Sequence, residues 1–238
     1  NTRSIMKQEL QMIGRIRTDF PTKFGLPRQG TFAESLTGRV VLEPEYRKAA
    51  AFKGIEEYSH LWLLWGFSEV KRTRWVPTVK PPRLGGKVHK GVFATRSPFR
   101  PNPIGLTCVR LEEIQWDTPE GPVLIVSGID MMDGSPVYDI KPYLAYADAY
   151  PDARSGFGAK VKDHVLEVEF PEKWLEMVEE TKRPGAIEML RQDPRPPYHN
   201  HAEQIYKIAF ANVDIHFTVE DNKLTVCRVL SLEEGQKK

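Results

Sequence analysis

The sequence predicts a mainly β chain: an antiparallel barrel or sandwich over its first part, followed by a small α+β unit. Three observations lead there. Short apolar runs recur between glycine and proline turns, only one helical pattern precedes residue 150, and helices and strands mix once a polar stretch at residues 147–160 has been passed. A chain of 238 residues can bury a full core, and this pattern divides it into a larger unit at 7–150 and a smaller one at 161–232. Residues 1–5 precede Met6, which reads as the natural start.

In chain order, residues 11–17 (QMIGRIR) read as a first, partly buried strand. The loop that follows, to Gly30, sets Pro27-Arg28-Gln29 on a fixed turn, and 38–42 is a second strand. Pro44 and Gly54 punctuate a predicted helix over 45–53. Residues 58–67 are continuously apolar, which predicts a strand covered on both faces. Short strands at 76–80 and 91–94 flank a loop at 81–86, and longer ones at 104–114 and 123–129 flank a turn at 117–121. Asp130-Met131-Met132-Asp133-Gly134 has the spacing of an Asx-turn, and Asp139-Ile140-Lys141-Pro142-Tyr143 is a second proline-stiffened piece. In the smaller unit a strand at 165–170 leads to a helix opened by Pro171, which carries Trp174, Leu175 and Val178. A second helix at 186–192 precedes strands at 205–210, 213–219 and 224–230, the last two joined through Asp221-Asn222.

The chemistry concentrates at residues 91–105 (GVFATRSPFRPNPIG), where Pro98, Pro101 and Pro103 hold the backbone in turns. Arg96, Arg100 and Asn102 on that loop suit a ligand with carboxylate, phosphate or base edges. Net charge is only +2, yet Lys71, Arg72, Arg74, Lys80, Arg83, Lys87, Lys90, Arg96, Arg100 and Arg110 stand in forty residues without one acid. Such a stripe, interleaved with Trp75 and Phe93, is a polyanion footprint, and nucleic acid is the usual polyanion.

No apolar run approaches eighteen residues, so no membrane helix is predicted. Cys108 and Cys227 fall in apolar runs and predict buried thiols of a reducing cytoplasm. His60, at the start of an apolar strand, reads as a hydrogen-bonded core histidine. A Rossmann fingerprint, P-loop, nucleophile elbow and zincin motif are all lacking, and His199-Asn200-His201 has no further ligands close in sequence, so no metal is predicted. Residue chemistry alone reaches a basic, loop-decorated β protein with an anionic partner and names no reaction.

The ordered set Pro27-Arg28-Gln29, Ser59-His60-Leu61-Trp62, Arg83-Leu84-Gly85-Gly86, residues 91–96, Phe99-Arg100-Pro101-Asn102-Pro103-Ile104-Gly105, Asp133-Gly134-x-Pro136-Val137 and residues 139–143 resembles the TsaA-like family. Within it the chain is similar to bacterial tRNA methyltransferases acting on N6 of threonylcarbamoyladenosine at position 37; the likeness extends to Gln192-Asp193-Pro194-Arg195-Pro196. The resemblance implies a β-barrel N-terminal domain that binds S-adenosylmethionine, a small α+β C-terminal domain, and a homodimer. It assigns cofactor contacts to Pro27, Arg28, Gln29, Arg96, Leu106, Asp130, Met131, Met132 and Asp133, and to the position of Ser68-Glu69, where the family has a His-Gln pair. Methyl transfer from a sulfonium chiefly needs alignment, and the carbamoyl group acidifies the N6 proton, so one acceptor suffices. Asn102 and Asp139 are the candidates. The tRNA anticodon arm would lie on Arg83, Lys87, Lys90 and Arg100, with Arg195 and Tyr198 near its loop. A non-catalytic RNA-binding barrel, or a methyltransferase acting on another RNA or a small molecule, is the alternative reading.

Overall fold

The computed structural model describes residues 7–27, 33–70, 75–81, 88–156, 165–195 and 204–232. Six strands form the first sheet: β1 (Gly14–Thr18), β2 (Thr37–Leu42), β3 (His60–Gly66), β6 (Ile104–Gln115), β7 (Val123–Ser127) and β8 (Pro136–Pro142). Their order is β1-β2-β7-β6-β3-β8, and β8 pairs back onto β1, so the sheet closes into a barrel with every pairing antiparallel. Closure leaves no open edge on these strands. Period-two alternation explains the interior: Ile16, Val40, Leu61, Leu63, Trp65, Val109, Leu124, Val126 and Val137 point inward and are buried. Each such side chain contributes about 1.5–3 kcal/mol of burial.

A two-stranded ribbon, β4 (Thr78–Val79) with β5 (Lys90–Gly91), lies in the long connection between β3 and β6. The short helix α1 (Ala145–Asp148) follows β8. Trp62 Nε1 and the Leu144 backbone N–H both donate to Asp148 Oδ2, at 2.9 and 3.0 Å, which ties α1 to the outer face of β3. The second lobe holds β9 (Glu167–Glu169), α2 (Glu172–Leu175), α3 (Arg183–Arg191), β10 (Tyr206–Phe210), β11 (Val213–Glu220) and β12 (Lys223–Ser231). Its sheet runs β10-β11-β12-β9, with β9 parallel to β12. No described helix is long and apolar enough to cross a membrane.

Five sequence expectations need correction. Residues 45–53 form no α-helix; the segment is a string of 3₁₀ turns at Pro44–Tyr46, Ala49–Phe52 and Ile55–Glu57. Phe52 is its one fully buried side chain, and a nine-residue segment without an apolar stripe has no packing to hold a longer helix. β3 is not covered on both faces: Leu61, Leu63 and Trp65 are buried while His60, Trp62 and Leu64 are half-buried, because the barrel gives each strand one inner face. Val92–Ala94 is a 3₁₀ turn and no strand, closed by the Thr95 N–H on the Val92 carbonyl. The proline-bearing piece at 139–143 is largely strand, its Pro142 at the end of β8 where a missing N–H costs nothing. Cys227 is exposed, since a bulge in the β11–β12 pairing turns it outward, whereas Cys108 is half-buried.

Candidate functional site

Strand direction decides where the candidate residues meet. β1, β3 and β7 end, and β2, β6 and β8 begin, at the same rim of the closed sheet. The connections at 19–36, 67–103 and 128–135 therefore all leave from and return to one rim of the barrel, its mouth. They carry Pro27, Ser68, Glu69, Lys90, Arg96, Arg100, Asn102 and the corner at 130–133; Leu106 lies just below on β6. Arg28, Gln29, Arg83, Lys87, Tyr198 and the two histidines of 199–201 lie outside the described residues.

The 130–133 corner is pinned from three sides. Trp65 Nε1 donates to Thr107 Oγ1 at 3.0 Å, and the Thr107 hydroxyl in turn donates to Asp130 Oδ1 at 2.7 Å. The Thr18 N–H donates to Asp133 Oδ1 at 3.0 Å, and Arg17 Nη1 stands 3.6 Å from Asp133 Oδ2. Thr18 Oγ1 donates to the Met131 carbonyl at 3.1 Å, and Ser135 Oγ to the Met132 carbonyl at 2.7 Å. Met131 itself is fully buried, so its side chain belongs to the core, and its carbonyl is taken by Thr18. The two aspartates thus make long-range contacts in place of a self-contained Asx-turn. Gly105 is required close by, because a Cβ there would enter the Trp65 ring.

The 91–105 loop folds on itself. Arg100 Nη1 donates to the Thr95 carbonyl at 2.9 Å, so part of this guanidinium holds the loop together. The Phe67 N–H reaches the Pro103 carbonyl at 3.1 Å and extends the β3–β6 ladder to the rim. Arg96 and Asn102 are exposed, and Leu106 is 52% exposed on the outer face between inward-facing Gly105 and Thr107. Ser68 and Glu69 are exposed, and Glu69 Oε2 sits 3.8 Å from Lys23 Nζ, linking two of the three connections. Trp75 and Phe93, which the sequence interleaves with the basic stripe, are both exposed and lie with ring centroids 6.2 Å apart.

Two candidates stand elsewhere. Asp139 lies on the outer wall of β8, its Oδ2 2.9 Å from Lys141 Nζ and its Oδ1 accepting from the Ile140 N–H. It lines a cleft of about 360 Å³ with Ile13, Leu42, Phe52 and Ile55, toward the opposite rim. Arg195 belongs to the second lobe; its Nε and Nη2 bond the two Asp193 oxygens at 2.7 and 2.8 Å, and its side chain is 13% exposed. That pairing raises the Arg195 pKa and commits its fork to Asp193. Among the described residues no cluster of three His, Cys, Asp or Glu could hold a metal ion.

The supporting residues Thr18, Trp65 and Thr107 were not singled out in the sequence. The only available signal was Thr107, a hydroxyl at an inward position of an apolar strand, which needs a partner there.

Comparison with known proteins places this arrangement. The model of the tRNA-methyltransferase O N-terminal domain matches residues 15–149, and that of the TrmO C-terminal domain matches residues 163–232. The chain belongs to the tRNA-methyltransferase O family. Its sequence is 38% identical over 221 residues to the tRNA (adenine(37)-N6)-methyltransferase of Escherichia coli K12, covering 90% of this chain and 94% of that protein. It is 41% identical over 181 residues to the protein of the same name from Eikenella corrodens, covering 74% and 99%. The crystal structure of TrmO from Pseudomonas aeruginosa superposes with a TM-score of 0.78 at 33% identity, over 96% of this chain and 99% of that one. Homologues are also named S-adenosylmethionine-dependent methyltransferases. The first family match contains the whole mouth, and the second contains β9 to β12.

Proposed function

We propose that this chain methylates N6 of threonylcarbamoyladenosine at position 37 of tRNA, with S-adenosylmethionine as the methyl donor seated at the barrel mouth. That it is a tRNA adenine-N6 methyltransferase follows from its family; the site and the modified base are our reading. The observation that carries the site is the convergence of three connections on one rim, since Arg96, Asn102, Asp130 and Asp133 lie on those connections and Leu106 follows at the start of β6. The residue types fit the donor. Pinned carboxylates at Asp130 and Asp133 match its cationic and hydroxyl groups, Arg96 matches its carboxylate, and Leu106 offers an apolar surface to its adenine. When bound, the donor supplies a methyl group on a sulfonium, a carbon that is already electrophilic.

The protein's own task is placement. Asn102, between two prolines, presents an amide oxygen that accepts a hydrogen bond from the N6–H and orients the nitrogen toward the methyl carbon; as the N–C bond forms, the methyl–sulfur bond breaks with its electron pair left on a neutral thioether, and the N6 proton passes to solvent water. Asp139 is the weaker candidate, because Lys141 and the Ile140 N–H occupy its carboxylate and it faces the other rim. Lys90 and the cationic stripe hold anticodon-arm phosphates, and Trp75 and Phe93 give loop bases an aromatic surface. Residues 7–150 then act as the donor-binding unit and 161–232 as its smaller companion, at work in the cytoplasm where tRNA is modified. Two copies pair through exposed apolar side chains of the barrel's outer surface, Ile104 of β6 and Tyr146 of α1 among them.

The test pairs calorimetry with S-adenosylmethionine and mass spectrometry of threonylcarbamoylated tRNA. Binding together with a gain of one methyl group on the modified adenosine is expected. A protein that binds tRNA and ignores the donor is the non-catalytic barrel, and equal methylation of unmodified tRNA discards the threonylcarbamoyl group as a requirement.

A further inference from the structure

Among the described residues, the second lobe meets the barrel along the connection between β1 and β2. Asp19, the first residue after β1, is held twice, its Oδ2 2.7 Å from Lys182 Nζ and its carbonyl accepting from the Ala211 N–H at 2.7 Å. Ala211 adopts a left-handed φ of 51° at the tip of the β10–β11 hairpin, a cost accepted where the surrounding structure determines the backbone. Phe20 packs edge-on against Phe210 with ring centroids 5.4 Å apart. At mid-connection, Gly25 has φ of 82° and lies so close to the Ile208 side chain that a Cβ would overlap it. At the far end, the Ser35 N–H donates to Glu188 Oε2 at 2.6 Å, and Gly185 of α3 sits against Leu36. The described parts of this connection, which include the buried Pro27, are thus gripped at its start, middle and end by the second lobe.

We infer that the second lobe is a positioning element for the donor-binding connection, with the half-buried Lys182–Asp19 pair as its latch. This inference rests on the reading that the β1–β2 connection contributes to the donor seat. Lys182 touches neither donor nor RNA in this account and acts through Asp19. A latch of this kind sets the donor affinity by holding the connection in its binding shape before the ligand arrives.

The test compares Lys182→Met, Lys182→Arg and Asp19→Asn in the full chain, measuring the donor Kd by calorimetry, KM for each substrate, kcat and Tm. Lys182→Met and Asp19→Asn should each raise the donor Kd and KM about three- to tenfold, the size of an ordinary net hydrogen bond, because solvent screens a pair that is only partly buried. KM for tRNA should stay within twofold, Lys182→Arg should restore the donor affinity, and the double variant should be no worse than either single one. A lowered Tm with donor Kd unchanged assigns the pair to stability alone, and a rise in KM for tRNA alone assigns the lobe to RNA binding; either overturns the inference. If Lys182→Met does not fold, Glu188→Ala at the exposed Ser35 end must show the same selective loss or the inference falls. Failure of the wild-type chain to bind the donor would instead strike the proposed function.

Discussion

Arg96 is the residue on which the donor site depends most. Removing one charged hydrogen-bonding partner of a ligand costs about 1.5–3 kcal/mol, so Arg96→Ala should lower kcat/KM by roughly ten- to 150-fold while the circular dichroism spectrum is unchanged. Full activity would remove Arg96 from the site. Thr107→Val is the complementary test of the pinned corner. It keeps the shape but leaves the buried Trp65 N–H without its acceptor, so a loss of about 1–3 kcal/mol of stability is expected by urea unfolding, together with weaker donor binding. Thiol chemistry checks the outer wall. Burial and then the nearby Asp148 carboxylate raise the Cys108 pKa, so iodoacetamide at neutral pH should modify the exposed Cys227 well before Cys108. At this scale the sequence disclosed side chains that face a ligand, since arginines and an asparagine among prolines have few structural uses. It hid Thr18 and Thr107, because a threonine in a β-branched run looks the same whether it fills space or carries a hydrogen bond.

Strands proved more legible than turns. Short apolar runs between glycine and proline turns identified β1, β2, β6, β7 and all three strands of the β10–β12 meander, since a strand needs few residues to cross a core. The 45–53 segment misled because its proline, alanines and glycine are good helix punctuation with no apolar stripe behind it, and tertiary packing outweighed local preference. β8 was missed because proline and aspartate are poor strand formers, yet pairing on both sides with β1 and β3 overrides that. In the second lobe the parallel β9–β12 edge carries a measurable signature. Lys223 Nζ lies 2.8 Å from Glu169 Oε2, and this contact holds the Glu169 carboxyl below and the Lys223 ammonium above their ordinary pKa values. The Glu169 contribution to stability is accordingly present above the ordinary glutamate pKa and lost as pH falls through its lowered value; the Lys223 contribution is lost as pH rises through its raised one. An NMR titration should find the Glu169 midpoint below that of exposed glutamates, and Lys223→Met should return it upward.

Over the whole molecule, the lopsided charge is the property most open to measurement. If the mouth lies in a cationic field that holds phosphates, log Kd for tRNA should rise steeply and linearly with log salt, with a slope of about 0.7–0.9 per phosphate neutralised. Affinity indifferent to salt would refute the basic stripe as the RNA surface. Two-lobe organisation was visible in the sequence as a change of pattern near residue 150, but the contact between the lobes was not. Asp19, Gly25 and Ser35 meet Lys182, Ile208 and Glu188 across more than 150 residues, and no local pattern encodes such a meeting.

Closure of the sheet also has a practical side. The hairpin between β6 and β7 turns at the rim away from the mouth, held by the Thr118 hydroxyl on the Gly121 carbonyl and the Gly121 N–H on the Thr118 carbonyl. A fluorophore tethered to a cysteine introduced at Asp117 would therefore report tumbling and complex formation from the far pole, leaving catalysis undisturbed.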